Sequence, residues 1–160
     1  TYAVGMTADA APGSVRLVPG DAFPKFTLPD GEGRTHSLRD YAGKYLALYV
    51  YPKDDTPGCT RQAQSFKAAH EEYKGKDIVV LGVSRDNEES HQKFTEKYGL
   101  PFQLLADVDG AITKAYDVEK GDYAKRVTFV IDGTGKIIQV YEGETMKVDS
   151  HAQDILVTIV

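Results

Sequence analysis

The sequence predicts an α/β domain, with a mixed β-sheet covered by helices on both faces. Three observations carry this. Residues 45–51 (YLALYVY), 78–83 (IVVLGV) and 127–131 (VTFVI) are almost wholly apolar, as strands buried on both faces are. Between them lie segments whose apolar residues recur at spacings of three and four, the mark of amphipathic helices. Residues 136–141 (KIIQVY) follow the third run across Asp132-Gly133-Thr134-Gly135, so the last two strands form a hairpin and the sheet is mixed rather than all parallel.

The elements follow in order. Residues 1–18, rich in Ala, Gly and Pro, read as a loose N-terminal extension, and residues 19–160 as one domain, the prior for this length. Residues 20–29 are extended, because Pro24 and Pro29 bias their predecessors away from helix. Asp30-Gly31-Glu32-Gly33 is a turn, and 35–38 return as a short strand. Pro52 stops the first apolar run. A helix then starts with Thr56 as N-cap and Pro57 in its first position. Ala63, Phe66, His70 and Tyr73 share its inner face, and Gly75 stops it. Asn87 caps the next helix, Phe94 and Tyr98 pair along it, and Gly99 with Pro101 ends it. Residues 102–106 form a short strand and 110–116 a short helix. Residues 149–160 form a C-terminal helix with a β-branched, poorly helical end.

Of the 160 residues, 41% are hydrophobic and 27% charged, ordinary usage that argues against disorder. The net charge of −5 lacks the basic footprint of a nucleic-acid binder. No apolar run is long enough to cross a membrane, and no secretory leader is expected. Cys59 is the one cysteine. An internal disulfide is therefore excluded, as is any zinc site with two cysteine ligands. This composition suits a reducing, cytoplasmic setting.

Cys59 lies seven residues beyond Pro52, in the first turn of the predicted helix. Free N–H groups and the positive end of the helix dipole converge there and favour thiolate over thiol. Open α/β sheets also place ligands where a strand ends and a helix begins. The competing reading is a buried, inert cysteine, a common fate of free thiols. The polar neighbours Asp54, Asp55, Thr56 and Thr60 favour the reactive one. Two adjacent acids are weak evidence for a metal, and Asp54 and Asp55 read as a solvated loop face. His36, His70, His91 and His151 have neither metal nor triad spacing; a Cys-His hydrolase would need one of them beside Cys59.

Residues 51–60 (YPKDDTPGCT) contain Pro52-x-x-x-Thr56-x-x-Cys59. This segment resembles the active-site loop of the peroxiredoxins, most closely the bacterioferritin comigratory protein or peroxiredoxin Q subgroup. The likeness runs from about Pro19 to Tyr141 and includes 83–86 (VSRD) and 125–132 (KRVTFVID). It implies a thioredoxin-like fold, with Thr56-Pro57-Gly58-Cys59 where thioredoxin carries Cys-x-x-Cys. It also implies that Cys59 attacks a peroxide and that the Thr56 hydroxyl bonds the peroxide or thiolate. Arg126 would lie beside the sulfur, N–H groups near Gly58 and Cys59 would bind charge developing on oxygen, and Pro52 would shield the loop. The resemblance makes Thr56 both cap and ligand; without it Thr56 is an N-cap alone, Arg126 a surface charge and Pro52 a strand terminator. No organic cofactor or metal is implied, since sulfur carries the two-electron chemistry.

Members of this subgroup carry a resolving cysteine five residues after the nucleophile, or on the following helix. Gln64 and Thr95 occupy those positions here. The expectation is a one-cysteine cycle, in which an external thiol of the thioredoxin, glutaredoxin or glutathione kind reduces a Cys59 sulfenic acid. A sulfenic acid without an internal partner is exposed to further oxidation. The alternatives are a peroxide-sensing module with little turnover and a non-redox domain of the same architecture. A monomer is expected.

Overall fold

The computed structural model describes residues 17–113, 119–120, 123–142, 147 and 150–159. In chain order it contains β1 (Thr27–Pro29), β2 (Thr35–Ser37), a 3-10 turn (Leu38–Tyr41), β3 (Tyr45–Val50), α1 (Pro57–Ala68) and α2 (His70–Gly75). There follow β4 (Ile78–Ser84), α3 (Glu88–Tyr98), β5 (Gln103–Ala106), β6 (Glu119–Lys120), β7 (Tyr123–Ala124), β8 (Val127–Ile131), β9 (Ile137–Glu142) and α4 (His151–Ile159). The main sheet has the order β5-β4-β3-β8-β9. Strands β3, β4 and β5 are parallel, and β8 and β9 run against them as a closing hairpin.

Period-two alternation along β3 divides the core. Ala47, Tyr49 and the following Tyr51 join a cluster with Phe66, Tyr73, Phe102 and Ile155, whereas Leu46, Leu48 and Val50 join Phe23, Phe26 and Phe129 in another. Both faces of the strand are thus buried, which is why its sequence is a continuous apolar run. Tyr49 lies against Gly82 on the neighbouring strand, where a Cβ would come 2.6 Å from Leu104 and 3.0 Å from the Tyr49 ring.

Most boundaries follow the local signals. Asn87 caps α3 by accepting from the Ser90 N–H at 2.9 Å, and Gly99 ends it with φ +60°. Phe94 and Tyr98 meet edge to face, with centroids 5.4 Å apart. Two expectations need correction. The helix expected to continue to Gly75 breaks at Ala69 (φ −94°, ψ 5°), and α2 starts afresh. Phe66, Ala69 and Tyr73 are buried on both sides of the break, so burial spacing conceals it. The second piece aims the Tyr73 hydroxyl at the Ala152 carbonyl, 2.6 Å away. The expected helix at 110–116 is a series of turns over residues 111–113. The Asp107 carboxylate takes the Ile112 and Thr113 N–H groups there at 3.1 and 2.8 Å. The rest of that segment, and residues 1–16 of the expected extension, lie outside the described residues. Leu17 already packs in the core.

His151 opens α4 from a buried position between Phe66 and Tyr141. Its Nε2 meets the Thr128 hydroxyl at 2.7 Å, while Nδ1 has no partner among the described residues. Burial lowers its pKa to about 4, with Asp154 opposing and Arg126 adding to the shift. Unfolded histidine titrates near 6.5, so between about pH 6.5 and 4 the unfolded chain binds the extra proton. Stability is complete above that window and falls as pH drops through it, by up to about 3 kcal/mol from this group. In urea unfolding at pH 7 and pH 4.5, His151→Gln should lose less stability than the native protein between the two pH values; equal losses would contradict this.

Candidate active site

The antiparallel register of β3 and β8 pairs Val50 with Val127. Arg126, one residue before β8, is thereby delivered to the end of β3 where the chain leaves the sheet. The Tyr51 N–H still bonds the Val83 carbonyl at 2.9 Å, and the chain then loops through Pro52 to Thr56. Thr56 has N-cap backbone angles (φ −97°, ψ 157°) with Pro57 next in line. The first helical bond, Thr60 N–H to the Thr56 carbonyl, is 2.8 Å. Cys59 falls in this first turn and is only 1% exposed.

The Arg126 guanidinium spans two groups of α1. One Nη donates to the Cys59 sulfur at 3.3 Å, and the other to Gln62 Oε1 at 2.6 Å. A planar fork with fixed donors suits such a two-point grip. A Cβ on Gly58 would stand 3.0 Å from the nearer nitrogen, so glycine leaves room for the cation. A cation and a helix N-terminus thus place positive potential at one sulfur. Pro52 is half-buried in the connecting loop.

Two loop residues differ from their sequence reading. The Thr56 hydroxyl donates to the Lys53 carbonyl at 2.9 Å and makes no capping bond. Its proton is engaged, and its lone pairs are what it can offer a ligand. Asp54 is not solvated: it is 7% exposed, and its carboxylate takes the Tyr51 hydroxyl at 2.5 Å and the Ser90 hydroxyl at 2.7 Å, and meets His91 Nδ1 at 2.7 Å. Asp55 does face outward, paired with Lys97 at 2.8 Å and the Tyr98 hydroxyl at 2.9 Å.

Three of the four histidines are engaged elsewhere. His91 lies between Asp54 and the Leu105 carbonyl, His36 between Tyr41 and Asp30, and His151 meets Thr128. The hydrogen bond at the Cys59 sulfur comes from Arg126, which is not the arrangement of a Cys-His hydrolase. No cluster of three or more metal-type ligands occurs among the described residues. The Tyr49 phenol is buried without a hydrogen-bond partner among the described residues. Burial holds its pKa well above the usual tyrosine range, reinforced by the nearby charges of Asp54 and Cys59.

Sequence reasoning missed Gln62 and His91. Gln62 carried a signal, since it lies three residues after Cys59 on one helix. His91 carried none, because its partner is on a segment remote in the chain.

Comparison with known proteins shows the family. The profile of the AhpC/TSA family matches residues 19–140. The chain is 42% identical over 148 residues to peroxiredoxin Bcp of Bacillus subtilis, covering 88% of this chain and 93% of that one. The crystal structure of peroxidoxin BcpB from Mycobacterium tuberculosis superposes with a TM-score of 0.84 at 31% identity, over 90% of this chain and 97% of that one. A structure of the Xanthomonas campestris bacterioferritin comigratory protein, solved for its alkyl peroxide reduction activity, gives 0.79 at 34% identity, over 91% and 96%. With its thioredoxin-like sheet and its Cys59 loop, the chain belongs to the AhpC/TSA family and is a peroxiredoxin, a thiol-dependent peroxidase.

Proposed function

We propose that Cys59 is the peroxidatic nucleophile of a one-cysteine cycle acting on hydrogen peroxide and organic hydroperoxides. The observation that carries this is the Arg126 guanidinium donating to the Cys59 sulfur at 3.3 Å in the first turn of α1. The thiolate attacks one peroxide oxygen and the O–O bond breaks. The other oxygen leaves with a proton as water or alcohol, and Cys59 becomes a sulfenic acid. Arg126 stabilises the thiolate and the charge spreading over the peroxide. Thr56 accepts a hydrogen bond from the peroxide O–H, N–H groups at Gly58 and Cys59 receive developing negative charge, and Pro52 keeps water from the loop.

Cys59 is the only cysteine, so its sulfenic acid is reduced from outside. One external thiol forms a mixed disulfide and releases water; a second thiol displaces Cys59 and leaves as the disulfide. Thioredoxin, glutaredoxin and glutathione-like thiols are the candidate reductants, and a cytoplasmic setting would supply them. Residues 19–160 make up the catalytic domain. A monomer agrees with the surface of the described residues, where the exposed large apolar side chains are the scattered Val18, Val108 and Val157.

The test is peroxide consumption with dithiothreitol in excess. Consumption far beyond one equivalent per protein is expected. A stop at one equivalent would instead favour a redox sensor, the reading that the missing resolver keeps open. Raising the peroxide should inactivate the enzyme as Cys59 gains a second oxygen. Linear turnover at high peroxide, with no such mass gain, would show that the sulfenic acid is protected.

A further inference from the structure

We propose that Asp54 and His91 form a buried clasp that positions the Cys59 loop for attack on peroxide, and that breaking it slows oxidation of Cys59 without slowing its reduction by thiol. The proposal rests on the peroxidase reading above. Arg126, gripping Cys59 and Gln62 of α1, holds the catalytic turn from the β8 side of β3. The clasp holds the same loop from the opposite side, five residues before the sulfur.

Three elements converge on it. From α3, Ser90 and His91 bond the Asp54 carboxylate, each at 2.7 Å. From the end of β4, the Ser84 hydroxyl donates to Asp86 Oδ2 at 2.7 Å, and the same oxygen accepts the Asp54 N–H at 2.9 Å. From β5, the Leu105 carbonyl lies 2.9 Å from His91 Nε2. A carbonyl only accepts, so Nε2 carries a proton. Tyr51, the last residue before Pro52, completes the set through its hydroxyl. Asp54 and His91 are almost fully buried, where losing one partner strands the others away from water.

Such a clasp answers two opposing needs. Attack on peroxide requires the sulfur, the Thr56 oxygen and the Arg126 fork in fixed relation. Reduction requires a thiol to reach a sulfur that is 1% exposed, so the loop must open. A clasp that favours the closed loop speeds the first step and opposes the second. A carboxylate that merely stabilised the fold would not divide the two steps.

Asp54→Ala and Asp54→Asn test this. With its oxygen at the Oδ1 position, asparagine can still accept from Tyr51, and its amide at the Oδ2 position can donate to His91 Nδ1 and to the Ser90 hydroxyl oxygen. Single-turnover rapid quench with mass spectrometry gives two rate constants: oxidation by hydrogen peroxide, and reduction of the preformed sulfenic acid by dithiothreitol. For Asp54→Ala, oxidation should fall about tenfold to a hundredfold, with reduction unchanged or faster; Asp54→Asn should stay within about threefold of native in both. Oxidation of Asp54→Ala within twofold of native would overturn the proposal. So would an equal fall in both constants, or a loss in Asp54→Asn as large as in Asp54→Ala. If Asp54→Ala fails to fold, Ser90→Ala removes one donor from the same carboxylate. About a threefold fall in oxidation alone supports the clasp, and no fall overturns it. The native protein is assayed first; failure to turn over there would overturn the peroxidase reading itself, separately from the clasp.

Discussion

Cys59→Ser should abolish peroxide turnover and leave the fold intact. One atom changes at a buried position, and the replacement is slightly smaller, so the melting temperature should move little. The chemistry, however, requires a polarisable anion at neutral pH. A thiolate is accessible to cysteine because a cation and a helix N-terminus support it. A serine hydroxyl at the same place remains protonated, and no histidine hydrogen-bonds it as a general base. Arg126 and Gln62 would still be present, so the variant isolates the sulfur from its surroundings. Consumption with dithiothreitol should match the protein-free control. Residual turnover above a few per cent of native would place the redox chemistry elsewhere, and Cys59 is the only cysteine.

Arg126→Ala should come next in size. Its guanidinium donates to the sulfur at 3.3 Å and to Gln62 at 2.6 Å, so the substitution removes a charge and a tether together. Loss of one preorganised donor to developing negative charge costs roughly a hundredfold to a thousandfold in rate, about 3–4 kcal/mol. The second-order constant for Cys59 oxidation should fall by that factor at pH 7. Arg126→Lys keeps the charge but not the planar fork, and should fall between alanine and native. An unchanged constant in Arg126→Ala would remove this residue from the mechanism.

The two substitutions probe parts of the site that differed in how visible they were beforehand. The strand cores were legible because both faces of β3, β4 and β8 are covered, and continuous apolar runs follow from that. Cys59 was legible from local chemistry: a strand end, a proline in the first helical position and a cysteine in the first turn. Arg126 was not, apart from the family resemblance. A lone arginine before a strand looks like a surface charge until the pairing of Val50 with Val127 is known, and a register between segments so far apart leaves no local trace. Asp54 was misread for a related reason. Beside Asp55 it looks like half of a solvated pair, but its partners Ser90 and His91 come from α3. The break at Ala69 was hidden because Phe66, Ala69 and Tyr73 keep helical spacing across it. At Thr56 the backbone position was right and the hydroxyl partner wrong, since Lys53 offers a carbonyl that competes with the helix N–H groups.

The strand order has a consequence for heat inactivation. The sulfur and its cation are attached to β3 and β8, which are neighbours at the middle of the sheet, while β5 and β9 form its edges. Partial openings begin at edges and termini and reach central strands only when the whole domain unfolds. The paired strand ends that carry the Cys59 loop and Arg126 are therefore insulated from fraying, so a loop that opens for reduction closes again onto the same guanidinium. On heating, the capacity to bring thiolate and guanidinium together should be lost in the same cooperative step as the fold, rather than leak away ahead of it.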